Sequence, residues 1–262
     1  MIHLSVNVNK IATIRNSRGG SVPRVLDAVR VCVDAGAHGI TVHPRADRRH
    51  ITPEDVHDVA QALAPLRPKV EFNIEGDPRP DLLALVKDVR PDQCTLVPVV
   101  PGEITSQAGW VAATATGVPA VVRELKALGI RVSLFVDPTE EAIRLAAAAG
   151  ADRVELYTEP YARAFERGLA EAAASFSEYV RAVELAHAAG LGVNAGHDLD
   201  LKNLMLFRAM PHLDEVSIGH AIVSRAVFVG LDRVVREYLA VLAGAPAPDI
   251  PPAGERRRPA AP

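Results

Sequence analysis

Residues 2–9 read Ile2-His3-Leu4-Ser5-Val6-Asn7-Val8-Asn9, an unbroken alternation with Ile2, Leu4, Val6 and Val8 on one side and His3, Ser5, Asn7 and Asn9 on the other. A period of two marks a strand, and here its second face is polar. The alternation returns in Ile40-Thr41-Val42-His43, Val70-Glu71-Phe72-Asn73-Ile74-Glu75, Val132-Ser133-Leu134-Phe135-Val136-Asp137, Val154-Glu155-Leu156-Tyr157 and Val216-Ser217-Ile218-Gly219. Weaker strand signals at Cys94 to Val97 and Leu191 to Ala195 bring the number of candidates to eight. Between them run Ala- and Leu-rich stretches with helical spacing, several closed by a glycine just before the next strand, as at Gly36, Gly129, Gly150 and Gly190. Glycine there supplies the left-handed residue that ends a helix. Thr52-Pro53-Glu54-Asp55 adds a helix start, Thr as N-cap and Pro at the first helical position.

Strands alternating with helices imply a parallel sheet. Eight such units in a chain of 262 residues predict one α/β domain, a single (β/α)8 TIM barrel with extra helices, a fold that needs about 250 residues. No Gly-x-Gly-x-x-Gly follows the first strand to favour the alternative, an open dinucleotide-binding sheet. Residues 159–190 are too long for one crossover and predict an additional helix, and residues 99–117 a long loop with one short helix. The barrel is expected over residues 1–244. Residues 245–262, rich in proline and carrying Arg256, Arg257 and Arg258, are expected to be a disordered tail.

Composition narrows the function. With 48% hydrophobic residues the chain can bury a large core, and 29 Lys plus Arg against 32 Asp plus Glu leave a net charge of -3, so a nucleic-acid binder is not expected. No apolar run approaches the ~20 residues of a membrane span, and the N-terminus lacks the pattern of a signal peptide, so no membrane partner and a cytoplasmic location are expected. The two cysteines, Cys32 and Cys94, fall in no disulfide or zinc pattern.

In a barrel the apolar strand faces pack on the helices and the other faces point into the lumen. Asn7, Asn9, His43, Arg45, Glu71, Asn73, Glu75, Glu155, Tyr157, Asn194 and His197 then read as gathering toward C-terminal strand ends, where barrel active sites are built. Ser217-Ile218-Gly219-His220-Ala221 and Asn194-Ala195-Gly196-His197 place glycines after strands eight and seven, where backbone N–H groups and a helix N-terminus can receive a phosphate. Lys10, Arg15, Arg18, Arg45, Arg48 and Arg49 form a basic rim after strands one and two, fit for a second anionic group. With no His-x-His on the first strand and no His-Glu-x-x-His, no metal is expected on His43, His50, His197, His220 or Glu71.

Across residues 4–242 the chain is similar to the pyridoxine 5′-phosphate synthase family, the barrel enzymes that close the vitamin B6 ring. The similarity rests on V-N-V-N-K-I-A-T-I-R-N-S-R-G at 6–19, G-I-T-V-H-P-R-A-D-R-R-H-I at 39–51, V-E-F-N at 70–73, V-S-L-F-V-D at 132–137, V-N-A-G-H at 193–197 and I-G-H-A-I-V-S-R-A at 218–226. It implies condensation of 3-amino-2-oxopropyl phosphate with 1-deoxy-D-xylulose 5-phosphate without a cofactor, by a homo-octamer. It further implies His43 and Glu71 as proton acceptors, His197 as proton donor and Glu155 as a transition-state stabiliser. Asn7, Arg18, Asp198, Gly219 and His220 match the aminoketone phosphate site, and Asn9, Lys10, Arg45, His50 and Thr105 the deoxyxylulose phosphate site. The chain departs from the family at Asn9-Lys10, where many members have Asp-His, and at Asp198, where many have Gly.

Read from the strand alone, Glu71 is expected to face the lumen as general base between His43 and Asn73, with Glu75, on the same face and nearer the mouth, as its rival. Two other readings use the same residues. A phosphosugar isomerase or aldolase would leave the basic rim after strand two unexplained, and a non-catalytic phosphometabolite-binding barrel would have no need of His43, Glu71 and His197.

Overall fold

The computed structural model describes residues 1–99 and 106–248. Eight strands, β1 (His3–Asn7), β2 (Gly39–Val42), β3 (Glu71–Gly76), β4 (Gln93–Leu96), β5 (Arg131–Val136), β6 (Arg153–Tyr157), β7 (Gly192–Gly196) and β8 (Leu213–Ile218), pair in parallel in chain order, and β8 closes on β1. The expected barrel is what forms. Among the described residues the helices are α1 (Asn9–Arg18), α2 (Val25–Asp34), α3 (Pro53–Leu63), α4 (Pro80–Val89), α5 (Val118–Ala127), α6 (Glu140–Ala149), α7 (Glu159–Arg167), α8 (Leu169–Ala188), α9 (Leu204–Phe207), α10 (His220–Val229) and α11 (Leu231–Leu242).

The extra helix expected within residues 159–190 is α7, and two more connections, β1 to β2 and β8 to the C-terminus, also carry a second helix, α1 and α10. Residues 106–117 hold turns and no helix, and the rest of the expected short helix falls outside the described residues, as do residues 249–262 of the tail. The start of that tail is tied down, since Arg208 Nη1 donates to the carbonyls of Val241 and Ala245 at 2.5 and 2.6 Å. Thr52 caps α3 as its sequence predicts and forms a reciprocal capping box with Asp55. Trp110 anchors its loop by donating its indole N–H to the Leu96 carbonyl at 2.8 Å.

The outward faces of the strands make the core: Leu4, Val6, Ile40, Val42, Phe72, Ile74, Val132 and Leu134 are all fully buried against the helices. The inward faces are polar, unlike the bulky branched fillings usual in such barrels. At the floor Glu71 pairs with Arg131, whose Nε donates to Gln93 Oε1 at 2.9 Å, and Arg153 Nη1 donates to Asn194 Oδ1 at 2.9 Å. Above lies a ring of short side chains, with Ser5 and Thr41 hydroxyls 2.7 Å apart, Asn73 Nδ2 donating to Thr41 at 3.3 Å and Thr95 donating to Asn73 Oδ1 at 3.1 Å.

The floor also shows a repeat of every second strand. A side chain at or next to the start of β2, β4, β6 and β8 accepts the backbone N–H of the second residue of the strand before it. His38 Nδ1 takes Leu4 N–H at 3.1 Å, Asp92 takes Phe72 at 2.7 Å, Asp152 takes Val132 at 2.9 Å and Asp214 takes Val193 at 2.9 Å. These N–H groups sit where the ladder begins, and each would otherwise be buried without a partner. Asp214→Ala is therefore expected to destabilise the chain by about 1–3 kcal/mol, the cost of one unsatisfied buried donor, and Asp214→Asn, which keeps an acceptor, by much less. Denaturant unfolding of the two variants checks this, and equal losses would show that the acceptor is not what matters.

Candidate active site at the mouth of the barrel

A cavity of about 310 Å³ opens at the C-terminal ends of the strands. It collects Asn7, Asn9, Lys10, His43, Arg45, His50, Glu155, His197, Asp198, Gly219 and His220 from the residues named by sequence. Arg15, Arg18, Arg48, Arg49, Glu71, Asn73, Tyr157 and Asn194, also expected at the mouth, do not line it. Thr105 lies outside the described residues. Arg18 is the exposed last residue of α1 and does not line the cavity.

Glu71 is the correction of substance. It is the first residue of β3, in register with Gly39 at the start of β2, and it forms an ion pair with Arg131 at the floor. Burial would raise its pKa, and Arg131 outweighs burial and holds the carboxyl below its usual range. The carboxylate at the mouth is Glu75, four residues on and about 13 Å along the strand. Glu75 lines the cavity, accepts from Asn7 Nδ2 at 3.3 Å and lies 3.9 Å from His43 Nδ1.

The mouth combines two kinds of group. After β1 and β2 stand Lys10, Arg45 and His50. Asn9 Oδ1 accepts the His43 backbone N–H at 2.9 Å, which ties α1 to the end of β2. His50 Nδ1 accepts the Ile51 N–H at 2.9 Å, so the ring proton sits on Nε2. Burial, then the charges of Arg45 and Lys10, push the His50 pKa down to about 4, which makes it a neutral donor beside two cations. This side can draw and hold an anion.

The other titratable groups at the mouth are His43, its ring 6.2 Å from that of His50, with Glu75 and Glu155. His43 is held well below its usual pKa by burial and then by His50 and Arg45. Burial, with the charge of Glu215 below it, raises Glu75 to about 8. Glu155 is raised well above the carboxylate range by burial and then by Glu75 and Glu215. Its space is provided by a missing side chain, since a Cβ at Gly196 would sit 2.5 Å from Glu155 Oε1. Gly219 is likewise required, because a Cβ there would meet the Asn7 carbonyl at 2.9 Å. Among the described residues, His43 Nε2 and Glu155 Oε2 are buried polar atoms with no hydrogen-bond partner. Such atoms are rare in folded proteins and concentrate where a ligand or a reaction uses them.

His197 follows β7 at φ +79° and Asp198 at φ +56°, two consecutive residues with side chains in the left-handed region, each costing about 1–3 kcal/mol. The His197 ring packs on Phe135 at 4.9 Å and edge-on to Tyr157 at 5.4 Å, and burial pushes its pKa down to about 4. Asp198 is half-buried, its pKa raised by burial and then by Glu159. His220 opens α10, with Gly219 as its N-cap. Glu75 was within reach of sequence reading as the rival of Glu71, whereas Phe135 carried no polar signal to single it out.

A sequence profile of the family described as pyridoxal phosphate biosynthesis protein PdxJ matches residues 4–244. A pyridoxine 5′-phosphate synthase of Porphyromonas gingivalis is 50% identical over 240 residues, covering 91% of this chain and 98% of that one. One of Xanthomonas campestris is 51% identical over 253 residues, covering 92% and 96%. Among solved structures, 3-hexulose-6-phosphate synthase from Salmonella typhimurium superposes with a TM-score of 0.60 at 16% identity, over 92% of this chain and 99% of that one. Phosphoribosyl anthranilate isomerase from Thermotoga maritima gives 0.59 at 12% identity over 94% and 100%. These last two likenesses show the barrel alone.

The electrostatics of the mouth can be read as stability. A Glu75 pKa raised from 4.5 to about 8 means that its contribution is fully present below pH 4.5 and is lost as pH rises through about 8, because the unfolded chain ionises the carboxyl freely and the folded one resists. Glu75→Gln is neutral at every pH. It is expected to raise the melting temperature above pH 8 by at least about 3 °C, roughly the shift that 1 kcal/mol produces in a chain of this size, and to leave it nearly unchanged at pH 4.5. Calorimetry at the two pH values measures this, and an unchanged melting temperature above pH 8 would mean the carboxyl is not desolvated.

Proposed function

The chain belongs to the pyridoxal phosphate biosynthesis protein PdxJ family, and from that membership we propose that it is a pyridoxine 5′-phosphate synthase joining 3-amino-2-oxopropyl phosphate to 1-deoxy-D-xylulose 5-phosphate, with release of phosphate and water. The observation that carries this reading is the presence in one cavity of buried, unpartnered polar atoms on His43 and Glu155 together with the cations Lys10 and Arg45. A phosphosugar isomerase on the same barrel would need one anion site and one base, and would leave Lys10, Arg45 and His50 without a use.

In this reading Lys10, Arg45 and His50 hold the phosphate of the deoxyxylulose substrate. The backbone at Gly219 and His220, opening α10, receives the phosphate of the aminoketone, since free N–H groups at a helix N-terminus favour negative charge. Asn7 and Asn9 tie β1 to Glu75 and His43 and so set the two proton acceptors against the substrates between the sites. Attack of an amine on a ketone requires protons to move from nitrogen to oxygen, and the later eliminations require removal of protons beside a carbonyl or imine. A neutral imidazole at His43 beside a carboxyl with a pKa of about 8 at Glu75 can take such a proton and pass it on near neutral pH. Glu155, neutral through burial, donates a hydrogen bond where negative charge develops. The approach of a phosphate raises the pKa of His197, turning it into the donor that the leaving groups need.

The same membership leads us to propose a symmetric homo-octamer. Supporting it are Val227 and Phe228 on α10, 69% and 87% exposed, and Leu169 on α8, 75% exposed, since apolar side chains of this size left in water mark contact surfaces.

Three outcomes test the reading. Protein mixed with both phosphoesters should form pyridoxine 5′-phosphate, detected by absorbance and mass, and neither substrate alone should yield it. Glu75→Gln should lose about 10²-fold or more in turnover, the lower range for removing a positioned acid–base group, while Glu71→Gln stays within a few-fold of the parent chain. Reversal of that order would return the role to Glu71. Light scattering should give a mass several times that of one chain, and a single-chain mass at every concentration would reject the assembly.

A further inference from the structure

The two left-handed residues after β7 are held by side chains from outside the turn. Thr158, which follows β6 and is fully buried, directs its hydroxyl at the carbonyls of Gly196, 2.6 Å away, and of His197, and its own N–H bonds the Gly196 carbonyl at 3.0 Å. Asn203, also buried, donates its side-chain amide to the Asp198 carbonyl at 2.9 Å. Asn203 is fixed in turn, its Oδ1 accepting the Asp200 N–H at 2.8 Å and its backbone carbonyl accepting the Tyr161 hydroxyl at 2.7 Å. Neither Thr158 nor Asn203 lines the cavity.

We propose that Thr158 and Asn203 are positioning residues for the reaction: by holding the carbonyls of His197 and Asp198 they keep the turn left-handed, and the turn keeps the His197 ring packed between Phe135 and Tyr157 at the cavity wall. The inference rests on the reading of His197 as an acid–base group. Residues with a Cβ leave the left-handed region unless their surroundings over-determine it. Rotation of the peptide planes here would take both carbonyls off their donors and swing the ring away from Phe135. A side chain with a single hydroxyl proton, shared between two carbonyls, is a small group to carry this. It is also fully buried, so no water replaces it when it is removed.

The groups around the ring are His43 after β2, Phe135 on β5, Tyr157 on β6, Glu159 at the start of α7 and Asp198 beside it. Burial is what lowers the His197 pKa to about 4, against the opposing pull of Glu159. A ring released to water therefore titrates nearer its ordinary 6.5.

The experiment compares Thr158→Val, which keeps the shape and loses the hydroxyl, with Thr158→Ser, which keeps the hydroxyl, and with His197→Asn, each checked for folding by circular dichroism. Thr158→Val is expected to lose about tenfold or more in kcat, within the range that an ångström of misplacement produces, while KM for either phosphoester stays within about threefold, and the alkaline limb of its rate profile, set by loss of the donor's proton, should move to higher pH. Thr158→Ser should recover most of kcat. Folded Thr158→Val with parental kcat and an unmoved alkaline limb would overturn the inference, and so would equal losses in the Val and Ser variants. If Thr158→Val does not fold, Asn203→Asp, which keeps the acceptor to Asp200 and loses the donor to Asp198, is read against the same outcomes. Normal turnover in His197→Asn would sink the acid–base reading itself. Normal turnover in Thr158→Val beside an inactive His197→Asn would sink only this inference.

Discussion

A closed barrel of eight parallel strands sends every second side chain into a lumen shielded from bulk water, and in this chain those side chains are polar and ionisable. Charge in such a space must be paired, neutralised by proton uptake, or used. The lumen meets this constraint differently at three successive heights. At the floor Glu71 is paired with Arg131. In the middle Ser5, Thr41, Asn73 and Thr95 satisfy one another without charge. At the mouth Glu75 and Glu155 are both buried, and burial followed by the charge of Glu75 raises the Glu155 pKa.

The split between the floor and the mouth lets one strand carry two glutamates with opposite electrostatics. Glu71 is held ionised by its partner, and Glu75 is held protonable by burial. Only the second can exchange a proton near neutral pH. The ion pair at the floor compensates the Glu71 charge beneath the site, whereas burial raises Glu215 to about 7 below the cavity and leaves Glu75 and Glu155 desolvated on the cavity wall itself.

Across the mouth the division of labour follows the chain. The connections after β1 and β2 bring Lys10, Arg45 and His50 together with His43, and β3, β6 and the turn after β7 bring Glu75, Glu155 and His197, with glycines at 196 and 219 removing the side chains that would otherwise collide with Glu155 and Asn7. The left-handed pair His197 and Asp198 completes the wall, gripped from the ends of β6 and α9. Asp198 holds its φ of +56° without being glycine, so the turn's geometry here depends on its donors rather than on the residue's own freedom.

Periodicity alone determined much of this protein. The alternation of residues 2–9 and its seven echoes specify strands, because a side chain's face on a strand is a local property of the backbone, and the Gly-terminated helices between them specify the parallel order. That reasoning also placed His43, His197 and the Gly219-His220 turn at the mouth, since each sits just past a strand's end and its height is read from the break in the pattern, and it put Glu155, the middle residue of β6, on the lumen face. It misplaced Glu71. Glu71, Asn73 and Glu75 share one face with identical periodicity, and nothing within the strand says which end is up relative to the neighbours. That height is decided by inter-strand register, in which Glu71 meets Gly39 at the beginning of β2, and by Arg131, sixty positions away in the chain, taking Glu71 as its partner. Faces are set locally by the backbone, whereas heights and charge partners are set by hydrogen bonds between segments far apart in sequence, and only the closed barrel brings those segments together.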